Sequence, residues 1–424
     1  MSTSAGIVVT GTEVLTGRTV DRNGPWLAEQ LRVLGVDIGQ LLVVGDRPDD
    51  LRQALEYLAG AGVDLIITSG GLGPTADDLT AEVVAAVQGR PAQLDPALQE
   101  RIGGIVRALI ADRGWRTDPA ATQAGIDKQS LVPVGAHPLG PTGTAPGLVV
   151  PVADGRSGPP VLVLPGPPGE LQALWPAALA DPIVQAALAD RQELRQRTIR
   201  LWGTPESELA ATLRQNADQL AGLEISTCLR GGELEIVTRY RPAAEDRYAH
   251  LQAAIGAAYS DTMFSPDGMT VDELVAEALL ARQLTIATAE SCTAGLLAAR
   301  LADRPGSSAY LLGGLVSYAN EAKVALLGVP VGLIESVGAV SAEVAEAMAD
   351  GARARLGADL GVGITGVAGP GGGSAEKPVG LVHLCVSGVG PTLSHRVQLG
   401  GSRADIRARA TVIAMHLIRQ QLQQ

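Results

Sequence analysis

VDLIITSGGLGPTADDLTAEVVAAV runs from Val63 to Val87, and its reading decides the fold. It opens as a short apolar run, the pattern of a strand buried on both faces. A Gly/Pro loop follows, then LTAEVVAAV (Leu79–Val87), with apolar residues at helical spacing. The same strand-to-helix step occurs twice upstream. GIVVTG (Gly6–Gly11) leads to RNGPWLAEQLRVLG (Arg22–Gly35), and VDIGQLLVVG (Val36–Gly45) leads to DDLRQALEYLAGAG (Asp49–Gly62). This βαβα order predicts a mainly parallel sheet covered by helices on both faces, with ligands at the C-terminal ends of the strands. GLVVPV (Gly147–Val152) and VLVLPGPPGEL (Val161–Leu171) close a first domain, residues 1–172.

The order then changes. RTIRLWG, a helix near Glu206–Gln215, LEISTCL, ELEIVTRY and a helix near Ala244–Ala258 read as β-α-β-β-α. This is a small α+β module, residues 173–265, ferredoxin-like or KH-like. A KH module would clamp RNA with a GxxG loop; none stands here, and a connector is the plainer reading. SPDGMT (Ser265–Thr270) marks a turn and a boundary. Residues 266–424 return to alternating strands and helices. The expected fold class is α/β: two three-layer α/β domains joined by the small α+β module.

Composition narrows the function classes. The chain has 424 residues, 46% apolar and 18% charged, with a net charge of −12. A duplex nucleic-acid partner would want a basic face, and no Lys/Arg cluster exists. No apolar run is long enough to span a bilayer, and MSTSAGIVVTGTE lacks the pattern of a signal peptide. Cys228, Cys292 and Cys385 stand singly, which is neither a disulfide framework nor a zinc spacing. Cytoplasm is the expected compartment. Basic residues are almost all Arg; the only lysines are Lys128, Lys323 and Lys377. Lys can lose its proton where Arg cannot, so the lysines point to sites where that difference matters.

TIATAESCTAGLLAARLAD (Thr285–Asp303) joins a strand to a helix and puts Glu290, Ser291 and Cys292 at the junction. A Ser there is most often an N-cap. Outward-pointing N–H groups at such a junction also suit an oxyanion or a phosphate, and Thr293 and Gly295 continue a tight turn. GLVSYANEAK (Gly314–Lys323) supplies a second strand end with Tyr318, Asn320 and Lys323. None of the five histidines lies in either cluster, so Lys323 is the candidate base for Ser291, as in Ser–Lys catalysis. Cys292 is the rival nucleophile, or a small buried apolar residue. GITGVAGPGGGSAEKPVG (Gly363–Gly380) is a glycine loop, without a Walker lysine, whose amides suit a phosphate. Arg403, at the start of the last helix, would clamp it or stay solvated.

AESCTAG, SYANEAK, GAVSAEV, ITGVAGPGGGSAEKPVG and GSRADIRARA together resemble the C-terminal domain of the CinA (competence/damage-inducible protein A) family. That domain is similar to nicotinamide-nucleotide amidase. The resemblance implies conversion of nicotinamide mononucleotide to nicotinate mononucleotide and ammonia without a cofactor. It implies Ser291 as nucleophile with Tyr318 and Lys323 as catalytic partners, Tyr318 either orienting Lys323 or protonating the departing ammonia. Thr365 and Arg403 fall on further motif positions, and Glu290, Thr293, Asn320, Gly366, Gly369 and Gly372 join them as substrate-binding candidates. Ala294 departs from the family, which commonly has Gly; its methyl is expected to narrow the pocket.

GTEVLTGRTVDRN, VGDRPDDL, DLIITSGGLGPTADDLT and GTAPG resemble the same family's domain related to molybdopterin-binding proteins. The resemblance implies pyrophosphatase activity on ADP-ribose or a related pyridine dinucleotide, dependent on a divalent metal (Mg, Mn or Co). Ser69, Gly70, Gly71, Gly73 and Lys128 are the phosphate-side candidates. Asp77, Asp78, Glu13 and Asp21 are the metal candidates, with helix capping as the alternative for Asp77 and Asp78. A homodimer is the expected assembly. The rival functions are a pterin-binding or adenylyl-transferring N-domain, and a non-catalytic adaptor in competence or DNA-damage response.

Overall fold

The computed structural model describes residues 3–423, and the chain divides into two compact units between Arg195 and Gln196. In the first unit, β1 (Ser4–Thr10), β2 (Asp37–Val44), β3 (Leu65–Ser69), β4 (His137–Leu139), β5 (Gly147–Val150) and β6 (Val161–Leu164) form one sheet. Its order is β2-β1-β3-β6-β5-β4; β1 pairs in parallel with β2 and β3, and β3 with β6, while β4 and β5 run antiparallel. Alternation along the strands feeds two cores. Val8, Ile66 and Val163 pack with Leu55, Leu58 and Val84 on one face, and Ile7, Ile67 and Leu162 pack with Leu27, Leu31 and Trp175 on the other. Each such side chain stabilises the fold by about 1.5–3 kcal/mol on burial.

The boundary expected after residue 172 lies further along. The helices Pro168–Ala180 and Pro182–Ala187 place Trp175, Ala178 and Val184 in the core beneath β1 and β6. Residues 173–194 therefore belong with the first unit.

The second unit opens with the module. β7 (Arg195–Trp202), β8 (Leu223–Arg230), β9 (Glu233–Tyr240) and β10 (Met263–Ser265) form a sheet of order β8-β9-β7-β10. The β-α-β-β-α order is as read, with β10 added antiparallel to β7. Gly231 and Gly232, both at positive φ, make the two-residue turn between β8 and β9. The module is not a loose connector. Trp202 stacks on His416 at 4.3 Å, Glu233 meets His416 Nε2 at 2.6 Å, and Phe264 lies in the core of the domain that follows.

That domain starts at a reciprocal cap, in which Thr270 Oγ1 accepts from Glu273 N and Glu273 accepts from Thr270 N. Its sheet comprises β11 (Ile286–Glu290), β12 (Leu311–Val316), β13 (Leu360–Gly366), β14 (Leu381–Ser387) and β15 (Leu393–Gln398), ordered β12-β11-β13-β14-β15. β11 runs parallel to β12 and β13, so Glu290, Val316 and Gly366 end at one edge. The helices Val271–Ala281, Leu296–Ala302 and Arg403–Gln423 cover one face around Ile286. Asn320–Leu327 and Ala342–Leu356 cover the other, around Ala287 and Ala289. No described helix is long and apolar enough to cross a membrane.

Candidate active site

Ser291 follows the last residue of β11 and is anchored by its own N–H to Ile364 O of β13 at 2.9 Å. It is not a helix cap. Ala294 (φ 51°) and Gly295 (φ 93°) take left-handed conformations, which delays the helix to Leu296. The four residues between leave Ser291 at the rim of the sheet, only 8% exposed.

Lys323 comes from the next strand-helix junction, one turn into the Asn320–Leu327 helix, and is 1% exposed. Its Nζ lies 3.1 Å from Ser291 Oγ, 2.9 Å from Ser317 O and 3.1 Å from Tyr318 O. Burial pushes its pKa below the ordinary lysine value, against smaller opposing effects from Cys292 and Glu321. The two carbonyls can only accept, so they take two N–H bonds; toward Ser291 Oγ the charged amine donates its third N–H, and the neutral amine presents its lone pair to the hydroxyl.

Cys292 is buried, and its thiol is pushed up to about 11. It stays protonated at neutral pH and packs in the core with Leu297 and Ile406.

The remaining C-terminal candidates divide into rim and support. Tyr318 is exposed; its carbonyl holds Lys323, while its hydroxyl accepts from Arg403 Nη2 at 2.8 Å. Arg403 Nη1 donates to Gly369 O at 2.8 Å, which ties the glycine loop to Tyr318. Asn320 is exposed at the helix start, and Gly372, at φ 80°, has open space where a side chain would stand. Gly366 closes β13, where a side chain would crowd Leu381 O, and a side chain at Gly369 would crowd Val379.

Three candidates are corrected by where their side chains lie. Glu290 was expected to bind substrate, but its carboxylate is buried and accepts from Gly295 N at 3.0 Å, Leu297 N at 3.1 Å and Ala298 N at 2.9 Å. It caps the helix. Thr365 is buried, and its hydroxyl donates to Ala339 O at 2.8 Å. Thr293 is fully buried, and no partner meets its hydroxyl among the described residues. None of these three side chains lies open to a ligand. One residue was overlooked: Arg407 Nε donates to Cys292 O at 3.0 Å and Nη2 to Thr293 O at 2.8 Å. Its signal was present, because it stands one helical turn after Arg403 within GSRADIRARA.

In the first unit, a cleft of about 780 Å³ opens at the C-terminal ends of β1, β3 and β6. Ser69, Gly70, Gly71 and Gly73 line it. Gly70 (φ 108°) and Gly71 (φ 65°) are left-handed, and side chains there would collide with Thr10 and Thr80. The Gly71, Leu72 and Gly73 N–H groups meet no acceptor among the described residues, the arrangement of an anion cradle. Asn23 links the walls, its Nδ2 donating to Ser69 Oγ at 2.8 Å and Gly166 O at 2.7 Å. Burial holds the Glu170 carboxyl above its usual range. Lys128 donates to Thr75 O and lines a neighbouring pocket behind the glycine loop.

The metal candidates Asp77, Asp78, Glu13 and Asp21 all line the cleft. They do not form a cation centre: no group of three potential ligands gathers among the described residues. Local turns hold three of the four. Asp21 Oδ1 accepts from Asn23 N at 2.9 Å and Gly24 N at 3.0 Å. Asp78 Oδ2 accepts from Thr75 N at 2.9 Å, and Asp77 and Asp78 share the Thr75 hydroxyl, which lowers the pKa of Asp77. The donor set does not fit a preformed metal site.

These features define a class: an α/β chain with a glycine-lined N-terminal cleft and a buried Ser–Lys pair at the sheet edge of its C-terminal domain. The CinA C-terminal domain model matches residues 269–422, and the probable molybdopterin binding domain model matches residues 6–185. A CinA-like protein of Mycolicibacterium gilvum is 57% identical over 426 residues, spanning 100% of this chain and 99% of that one. A second, from Mycobacterium marinum, is 54% identical over 429 residues, again with 100% and 99% covered. The chain belongs to the CinA family. Among solved structures, the competence/damage inducible protein CihA from Agrobacterium tumefaciens is 42% identical, covering 36% of this chain and 96% of that chain with a TM-score of 0.35.

Proposed function

We propose that the C-terminal domain is an amidase acting on the carboxamide of nicotinamide mononucleotide. The observation that carries this is the Lys323 Nζ–Ser291 Oγ contact of 3.1 Å, with the other two Nζ contacts directed to carbonyls. Lys323 takes the Ser291 proton as Oγ forms its bond to the carboxamide carbon. The tetrahedral oxyanion needs donors. The amides of Gly295, Leu297 and Ala298 are held by Glu290, that of Ala294 by Ser291 O and that of Leu296 by Thr293 O. Those of Cys292 and Thr293 find no oxygen acceptor among the described residues; they lie beside the Cys292 sulfur, a weak acceptor, and in this reading they turn to the oxyanion instead. The C–N bond breaks, and ammonia leaves with the proton from Lys323. Water then attacks the acyl carbon, passing a proton to Lys323; the C–Oγ bond breaks, Lys323 returns that proton to Ser291 Oγ, and nicotinate mononucleotide is released. Arg403, Tyr318 and the loop around Gly369 and Gly372 form the rim suited to the phosphate. The test is ammonia release from the mononucleotide by the native chain and by Ser291→Ala; equal rates would end the proposal.

For the N-terminal cleft the proposal is a phosphate-ester ligand of the ADP-ribose or pyridine-dinucleotide type, its phosphates on the free amides of Gly71, Leu72 and Gly73, with pyrophosphate cleavage as the associated activity. No step is assigned to a cation, given the donor set. The match to a molybdopterin binding domain model favours a second reading, a pterin ligand in the same cradle. Competition between molybdopterin and ADP-ribose for the cleft separates the two.

A further inference from the structure

The turn carrying Ser291 is clamped from two directions. Glu290 takes the amides of Gly295, Leu297 and Ala298, and Arg407 takes the carbonyls of Cys292 and Thr293. Arg407 stands on the Arg403–Gln423 helix, whose neighbours Ile406 and Ala410 pack in the core on the Ile286 face of the sheet. Lys323 stands on the helix whose Leu327 packs on the opposite face, with Ala287 and Ala289. The Cys292–Thr293 peptide lies between them. A trans peptide points its C=O and N–H in opposite directions. With the Cys292 carbonyl drawn toward Arg407, the Thr293 N–H of the same peptide is turned away from that guanidinium. A cationic donor on the carbonyl also polarises the peptide and makes its N–H a stronger donor.

We infer that Arg407 is a positioning residue that sets and polarises the oxyanion hole for Ser291. It touches neither substrate nor the reacting atoms, and acts through the Cys292–Thr293 peptide. The fork geometry matters, because Nε and Nη2 serve two successive carbonyls at 3.0 and 2.8 Å; a lysine offers a point charge and cannot span both in that way. No carboxylate among the described residues forms an ion pair with Arg407.

The inference rests on Ser291 being the acyl-forming nucleophile, and the experiment keeps the two claims apart. Ammonia release from nicotinamide mononucleotide is measured for the full-length native chain, Ser291→Ala, Arg407→Ala and Arg407→Lys, with thermal unfolding of each. The expected result is a fall in kcat of about 100-fold for Arg407→Ala, the scale of a lost oxyanion donor, with KM changed less than threefold. Arg407→Lys should recover only a small part. Millimolar guanidinium should raise kcat of Arg407→Ala and leave Ser291→Ala inactive. If Ser291→Ala keeps native turnover, the amidase reading falls. If Ser291→Ala is inactive while a folded Arg407→Ala turns over within threefold of native, the Arg407 inference alone is overturned. Should Arg407→Ala fail to fold, a folded Arg407→Lys at near-native kcat overturns it equally.

Discussion

Around Ser291 most backbone groups of the turn have a protein partner, the Cys292 and Thr293 amides excepted, whereas at Gly71 three successive amides have no acceptor among the described residues. The first site is assembled before substrate arrives: a buried amine, a fixed hydroxyl and a helix capped from beneath. The second is a wide cleft whose carboxylates are tied to local turns and whose donors await a ligand. On the functions proposed above, the contrast sets catalysis by preorganised groups against recognition by unsatisfied ones. It also says where substitutions should act: on turnover in the C-terminal domain, on affinity in the N-terminal cleft.

The largest effect should come from the dyad. Ser291→Ala and Lys323→Arg are each expected to lower ammonia release at least ~100-fold, with mononucleotide binding largely kept by calorimetry. Lys323→Met, close in length and apolar, guards against a clash by the bulkier Arg. A Lys323→Arg chain with near-native turnover would break the comparison, since Arg stays protonated. The pH profile sharpens it. The base must be neutral, so turnover should fall as pH drops through the pKa of Lys323, and that limb should lie below the ordinary lysine value because burial lowers it.

In the other cleft, Gly71→Ala puts a methyl against the Thr80 hydroxyl at a left-handed φ, a strain of about 1–2 kcal/mol. Binding of ADP-ribose should weaken about tenfold or more by calorimetry, with ammonia release unchanged. Equal losses in both assays would show that the two sites are not the separate devices described above.

Smaller still is Cys292→Ala. Its thiol, pushed up to about 11, is not ionised at neutral pH, so turnover should stay within about threefold of native, measured beside Ser291→Ala. An inactive Cys292→Ala next to an active Ser291→Ala would transfer the chemistry to sulfur.

What the chain reveals from sequence follows the range of each interaction. The strand-to-helix steps around Val63–Val87 and Thr285–Asp303 are local patterns, and the sheets form where those patterns put them. Ser291 and Lys323 were legible because both stand at strand-helix junctions and because lysine is so rare here. Glu290 was misread because its role depends on the left-handed Ala294 and Gly295, which delay the helix and leave three amides above the carboxylate. Arg407 reaches the turn across 115 residues of sequence, so its spacing after Arg403 marks the residue without naming its partner. At Asp21 and Asp78 the opposite happened: short-range bonds from nearby backbone amides hold the carboxylates that were expected to share a cation. The boundary at 172 was set too early because Trp175 and Val184 reveal their partners only once the sheet is folded.

The smallest effect probes the strain in the Ser291 turn itself. Ala294 is exposed and sits at φ 51°, one of two non-glycine residues at positive φ among the described residues, the other being Gln283. A methyl at left-handed φ costs roughly 1–2 kcal/mol, while Gly in its place adds about 0.4–1 kcal/mol of conformational freedom to the unfolded chain. The difference predicts that Ala294→Gly stabilises the second unit by about 0.5–1 kcal/mol, seen as a rise of a few degrees in its thermal transition. Turnover separates two consequences of that strain. Glu290 and Arg407 hold the turn on either side of Ala294, so the Ser291–Lys323 geometry should persist in the glycine variant and ammonia release should match native. A stabilised variant with lowered kcat would mean that the left-handed alanine stiffens the nucleophile turn, and the preorganisation at Ser291 would then depend on residue 294 as well as on the two clamps.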